Sequence, residues 1–256
     1  MAILRKFDRW MTAIAGPVWL RLTRERAIHE RFGYAVTIMN KLGVTNPRIL
    51  DVGCGSGLLL YYMRKLTHGI SNYTGIDLYA SRLTPRYANI KVPHVFHEIN
   101  LDTDWAMPPC DIAWSSEVLE HLIDDHGVFK RIVASVKPGG YIILTMPSLS
   151  FLQRLSHKFP DATKISATQD GGHVRAGYTP EMIARMADEA GVEILQIDGI
   201  SPRTDFEFKT RFYGGRLSRM LVDPFSWSRR PSPGIGIKPD DLQWYHSIAA
   251  VMQKPA

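Results

Sequence analysis

The sequence predicts an α/β fold built on a parallel sheet, and three observations carry that prediction. From Pro47 onward, short apolar strands alternate with helical segments, as expected of strands joined by crossover helices. One strand-to-helix junction, Arg48-Ile49-Leu50-Asp51-Val52-Gly53-Cys54-Gly55-Ser56-Gly57-Leu58, carries glycines at alternate positions between a carboxylate and the apolar run Leu58, Leu59, Leu60. A second carboxylate, Asp77, closes the next predicted strand.

The elements follow in order. Residues 1–46 read as a helical cap. Ile3, Leu4, Phe7, Trp10, Met11 and Ile14 recur at three- and four-residue spacing, Gly16-Pro17 interrupts them, and a second helical run extends from about Arg21 to Leu42 and stops at Gly43. This cap packs on the main domain or lies as a basic amphipathic helix on an anionic membrane surface. The main domain occupies 47–256. Its strands are Arg48–Val52, Tyr73–Leu78, His94–Ile99, Asp111–Ser115, Tyr141–Met146, Val192–Ile197 and Trp244–Met252. Helices are expected at Leu58–Leu66, Ser81–Tyr87, Asp124–Val136 and Ser148–Lys158, and one begins at Thr179-Pro180-Glu181. That last start is sharply marked: a Thr cap, Pro in the first turn and an acid at the positive end of the dipole. Lys137-Pro138-Gly139-Gly140 ends the helix before the fifth strand. Asp161–Gly177 reads as a polar loop over the site, and 201–240 as a late insertion rich in Pro, Gly, Arg and aromatics.

Composition narrows the function. With 256 residues, 45% of them hydrophobic, the chain can bury a sizeable core, and disorder is not its default state. Two cysteines, one of them between glycines of the turn, fit a reduced, cytoplasmic protein and give no zinc pattern. No apolar run approaches a membrane span, and the N-terminus has no signal-peptide pattern. The net charge of +6 admits nucleic acid, an anionic surface or an anionic substrate, or reflects solubility alone.

The glycine-rich turn frees the backbone for close approach of a ligand, and a helix start offers unpaired N–H groups. Gly53, Gly55 and Gly57 are spaced G-x-G-x-G, one residue short of the dinucleotide fingerprint, which disfavours a nicotinamide-dependent dehydrogenase. Asp77 can accept two hydrogen bonds from a ribose diol. With these residues in view, the chain resembles the class I S-adenosylmethionine-dependent methyltransferases, in particular their quinone O-methyltransferase-like, small-molecule branch. Ile49–Gly57 is similar to the family's first motif and Gly75-Ile76-Asp77-Leu78 to its acidic ribose motif. Asn100-Leu101-Asp102 stands at the adenine loop. Ser115-Ser116-Glu117-Val118-Leu119-Glu120-His121-Leu122 resembles the segment after strand four, and Lys137-Pro138-Gly139-Gly140 the turn before strand five.

The resemblance implies a Rossmann-like, doubly wound, seven-stranded sheet, mostly parallel with an antiparallel last strand, and S-adenosyl-L-methionine as cofactor. It implies that Asp51, Gly53, Cys54, Gly55 and Gly57 hold the amino-acid portion and Asp77 the ribose. Leu78, Leu101 and Asp102 would then lie at the adenine and Ser115 beside the methionine. The reaction it implies is transfer of a methyl group to an acceptor, most simply O-methylation of a small-molecule or lipid-linked acceptor such as a quinone-type phenol or a sugar hydroxyl. A hydroxyl acceptor must lose its proton to a base.

Two stretches can supply one. On a helix, Glu117, Glu120 and His121 would share a face. His173 lies in Gly171-Gly172-His173-Val174-Arg175. His173 and His121 are the candidate catalytic residues. By resemblance to quinone and small-RNA methyltransferases, Glu117, Glu120, His121 and His173 are also candidate ligands for a divalent cation such as magnesium. Arg175 pairs either with an anionic substrate group or with Asp170 or another loop acid. The insertion alternates Phe206, Phe208, Phe212, Tyr213, Phe225 and Trp227 with arginines, which suits an aromatic lid, a lipid surface or single-stranded nucleic acid. No appended RNA-binding module is evident, so a nucleic-acid partner is not expected. The alternatives are a metal-assisted RNA 2′-O-methyltransferase and a non-catalytic S-adenosylmethionine-binding protein.

Overall fold

The structure is a computed structural model. It describes residues 30–80, 89–157, 172–202 and 239–256. The first helical run, the helix expected at Ser81–Tyr87, most of the 161–177 loop and residues 203–238 of the insertion lie outside the described residues.

The described elements run α1 (30–42), β1 (Arg48–Val52), α2 (Leu58–Met63), β2 (Asn72–Asp77), β3 (His94–Glu98) and β4 (Cys110–Ser116). A short 3₁₀ turn (Leu119–His121) follows, then α3 (Asp125–Ala134), β5 (Val136–Pro147), α4 (Leu149–Ser156), α5 (Pro180–Ala190) and β6 (Glu193–Pro202). A second 3₁₀ turn (Pro239–Trp244) precedes β7 (Tyr245–Gln253). The strands form a seven-stranded sheet in the order β3-β2-β1-β4-β5-β7-β6. β1 to β5 pair in parallel, and β7 runs antiparallel to both β5 and β6. The expected α/β class, the mostly parallel sheet and its antiparallel last strand are borne out.

Strand alternation explains the layers. Leu50, Ala113, Ile142, Leu144 and Ala250 face one side, where α3 contributes Val128, Phe129 and Ile132 and α5 contributes Ile183, Met186 and Ala187. Ile49, Ile112, Trp114, Ile143 and Val251 face the other. There α1 supplies Tyr34, Ala35, Ile38 and Met39, and α2 supplies Leu59, Leu60 and Met63. Neighbours on a strand point to opposite faces, so a central strand covered on both sides is apolar throughout. Each fully buried Leu, Ile or Phe contributes about 1.5–3 kcal/mol relative to exposure. α1 is tied to the far edge of the sheet as well: the Tyr34 hydroxyl donates to Asp198 of β6 at 2.6 Å, and neither side chain is exposed.

Local signals act as the sequence suggests at α5, where the Thr179 hydroxyl accepts from Met182 N–H and Gly191 ends the helix at φ +66. The run Lys137-Pro138-Gly139-Gly140 behaves differently. α3 is already closed by Ser135, and β5 begins at Val136, before the expected Tyr141. The glycines are drawn into the sheet because Gly139 donates to the Lys254 carbonyl and Lys254 donates to that of Gly140.

The order of strands reverses between β1 and β4. In open α/β sheets, ligands bind outside the carboxyl ends of the strands at such a switch point. Val52 of β1 is level with Ser115 of β4, so the glycine turn and the segment after Ser116 leave the sheet side by side.

Candidate active site

The turn after β1 is bound from beneath. Gly53 and Cys54 N–H both donate to the Ile76 carbonyl, at 2.8 and 3.0 Å, and Gly55 N–H donates to the Asp77 carboxylate at 3.0 Å. Gly53, Gly55 and Gly57 all have left-handed backbone, with φ of +70, +53 and +69. At Gly53 space is decisive too: a Cβ there would lie 2.3 Å from Val118 Cγ2. The glycine turn therefore touches the segment after β4 directly.

Two carboxylates face this turn. Asp51 is buried and accepts from the Tyr73 hydroxyl. Burial pushes its carboxyl up to about 7; the Tyr73 bond opposes that, and nearby Asp77 adds to it. Asp77 accepts from Gly55 and Tyr79 N–H, one bond to each oxygen. Each oxygen keeps lone-pair capacity for a diol. Leu78 and Tyr79 beside it are exposed. Leu101 is buried, and the Asp102 carboxylate accepts from Ile123 N–H at 3.2 Å, tying the 100–102 loop to the turn after β4. Ser115 is buried, and its hydroxyl has no hydrogen-bond partner among the described residues.

The segment after β4 corrects one expectation. Glu117, Glu120 and His121 do not share a helix face. Glu117 has φ +54, a left-handed conformation that costs an ordinary residue roughly 1–2 kcal/mol, and it turns the chain off the sheet. Only Leu119–His121 then form a 3₁₀ turn. Glu117 points away from the other two: its carboxylate is 3.4 Å from Arg31 and accepts from the Thr145 hydroxyl at 3.4 Å. Glu120 is fully buried with neither oxygen hydrogen-bonded among the described residues. Burial, with the Glu117 charge adding to it, raises its carboxyl well above the usual range.

The structure does bring Glu120, His121 and His173 together. The Nε2 atoms of His121 and His173 are 4.0 and 3.9 Å from Glu120 Oε1, and the imidazoles meet edge to face at 4.5 Å between centroids. Both histidines are partly exposed, at 34% and 22% of their side chains, while the carboxylate behind them is dry. Donor atoms of these three residues lie within 4.8 Å of one another, and Glu117 is outside the group.

Asp170, one expected partner of Arg175, lies outside the described residues. Arg175 pairs with Asp125 at 3.2 Å, the first residue of α3, which also accepts from the Tyr178 hydroxyl at 2.8 Å. Sequence reasoning missed Asp125, Tyr178, Tyr73 and Arg31, because each reaches the site through a contact distant in sequence, and no spacing marks them.

With this geometry in place, comparison with known proteins decides the family. A family described as a methyltransferase domain matches residues 26–197, well over half of the chain. The chain belongs to the class I methyltransferases. Among its relatives, the ubiquinone biosynthesis O-methyltransferase of Cupriavidus pinatubonensis is 26% identical over 167 residues, 62% of this chain and 65% of that protein. The corresponding protein of Hydrogenovibrio crunogenus is 28% identical over 164 residues, 61% of this chain and 66% of its own. The chain thus spans just under two thirds of the length of these relatives. Of solved structures, the N-methyltransferase NodS of Bradyrhizobium japonicum, in complex with S-adenosyl-L-homocysteine, aligns with a TM-score of 0.54 at 13% identity. That alignment covers 89% of this chain and 87% of NodS, and at such identity it speaks for the fold alone.

The family's cofactor is S-adenosylmethionine, and the residues present fit it. Gly53, Gly55 and Gly57 add no side chains of their own to the turn, the Ser115 hydroxyl has no partner among the described residues, Asp77 has acceptor capacity left, and Leu78 offers exposed apolar surface. Among the described residues, no helix is long and apolar enough to cross a membrane.

Proposed function

We propose that this chain is an S-adenosylmethionine-dependent O-methyltransferase whose acceptor is a small or lipid-linked molecule bearing a phenol-type or sugar hydroxyl, with His121 and His173 handling the acceptor proton. One observation carries this reading. A dry carboxylate, Glu120, on the segment that touches the glycine turn, backs two solvent-reachable imidazoles, His121 beside it and His173 from the loop before α5. An imidazole takes a proton near neutral pH, and a carboxyl oxygen behind it offers an acceptor for the N–H so formed. S-adenosylmethionine supplies a methyl group on a sulfonium. Asp51 and the turn would hold its amino-acid end and Asp77 its ribose, which leaves the protein to align the acceptor and accept its proton. Ile123 and Val174, both exposed beside the histidines, suit an acceptor with an apolar portion, in keeping with contact at a membrane surface. The names of the O-methylating relatives agree with this assignment.

The test is His173→Ala, assayed with a catechol carrying a short apolar chain. Turnover should fall by roughly 100-fold or more, as for loss of a general base, while affinity for S-adenosylhomocysteine stays nearly constant in calorimetry. Equal rates in parent and variant would remove His173 from the chemistry.

The same cluster supports a second reading. Its donor atoms, one carboxylate and two imidazoles within 4.8 Å, suit a divalent cation that would orient the acceptor oxygen, with Glu117 excluded from the ligand set. Activity that survives exhaustive chelation would rule out a required ion.

A further inference from the structure

We propose that Arg175 is the positioning residue of the acceptor site, locking the turn that carries Glu120 and His121 to the loop that carries His173. The role rests on the reading that these histidines handle the acceptor proton.

The 3₁₀ turn is too short to hold its own shape. Its backbone bonds run only from His121 N–H to the Val118 carbonyl and from Leu122 N–H to that of Leu119. The chain instead curls around a guanidinium. Arg175 Nη1 donates to the carbonyls of Leu119 and Leu122, at 2.6 and 2.7 Å. Nη2 donates to the Ile123 carbonyl at 3.2 Å and pairs with Asp125 at 3.2 Å. The adjoining peptide adds a direct tie, with Val174 N–H donating to the carbonyl of Glu120 itself at 2.8 Å. His173 is thus the residue next to a backbone bond onto Glu120, and that bond is next to the guanidinium clamp.

This arrangement also excludes the other role open to an arginine here. Bidentate recognition of an anion needs a pair of free N–H donors on one edge of the fork. Both Nη atoms of Arg175 are engaged with the protein, so no such edge remains. Lysine could not replace it, because one ammonium cannot reach carbonyls spread along a planar fork.

Positioning matters because the histidines act as a pair. Their rings meet edge to face, and both Nε2 atoms lie about 4 Å from one oxygen of a buried carboxylate. A shift of about 1 Å in either ring can cost on the order of 100-fold in rate.

The experiment compares Arg175→Ala, Arg175→Lys and Asp125→Asn. Asp125→Asn breaks the ion pair but leaves the carbonyl clamp, so it controls for general loss of stability. The first readout needs no acceptor: the imidazole proton NMR signals of His121 and His173, assigned with His→Gln variants, followed against pH. In the parent and in Asp125→Asn, each ring should shift the other's signal, as expected of rings in edge-to-face contact. In Arg175→Ala the mutual shift should collapse, with Arg175→Lys in between. The second readout is kinetic, with the catechol probe: kcat about 100-fold lower in Arg175→Ala and a displaced low-pH limb, with affinity for S-adenosylhomocysteine within about threefold of the parent. If Arg175→Ala does not fold, Arg175→Lys carries both criteria. Unchanged imidazole signals in a folded Arg175 variant would overturn the proposal. So would a loss that merely tracks unfolding midpoints across all three variants. If His121→Gln and His173→Gln both keep full turnover, the proton-handling reading fails instead, whatever the NMR shows for Arg175.

Discussion

Gly53→Ala tests whether the segment after β4 really rests on the glycine turn. Two separate costs are expected. A left-handed φ of +70 costs an L-residue about 1–2 kcal/mol. The added methyl would also lie 2.3 Å from Val118 Cγ2 and 2.9 Å from Cγ1, and overpacking of that kind costs about 1–3 kcal/mol. The variant should therefore lose about 2–5 kcal/mol of stability. The two costs separate because Val118 enters only the second. Val118→Ala removes the clashing atoms and alone should cost about 1 kcal/mol, since Val118 is only partly buried. The double variant should then recover the steric part, a coupling of about 1–3 kcal/mol, and keep the backbone part. Urea midpoints of the four proteins give the cycle, and calorimetry with S-adenosylhomocysteine should show affinity following the same order. Additivity within about 0.5 kcal/mol, or a Gly53→Ala protein as stable as its parent, would refute the packing argument.

Two further substitutions probe the buried polar groups. Because burial holds the Asp51 carboxyl at about 7, the unfolded chain ionises first, and this group lowers stability as pH rises from the ordinary carboxylate range to about 7, with no further change above. Asp51→Asn, which keeps an acceptor for Tyr73, should flatten the urea-midpoint profile of the ligand-free protein, removing about 3 kcal/mol of decline between about pH 5 and about pH 8; parallel profiles would contradict it. Tyr34→Phe deletes the 2.6 Å bond to Asp198 between α1 and β6, and should cost about 1–3 kcal/mol in urea unfolding without changing cofactor affinity. An unchanged midpoint would show that Asp198 is satisfied without it.

The sheet was readable because its information is local. The apolar runs of β5 and β7 and the Thr179-Pro180 start of α5 each follow from forces acting over a few residues. Glu117 shows where that reasoning stops. Helical spacing groups it with Glu120 and His121, but its left-handed backbone and its contacts with Arg31 and Thr145 turn it away. The pairing of His121 with His173 was only a conjecture until the fold joined segments 52 positions apart.

By itself, then, the sequence determined the α/β class, the glycine turn with Asp51 and Asp77 around it, and through these the cofactor. Each depends on backbone freedom or burial periodicity that a short stretch of chain encodes. Only the tertiary structure decided which acids and imidazoles face one another, that Glu120 is dry, and that Arg175 pairs with Asp125 and the carbonyls after β4. Those outcomes depend on desolvation and on contacts between distant segments, which exist only once the sheet has brought the ends of β1 and β4 and the loop before α5 to one place.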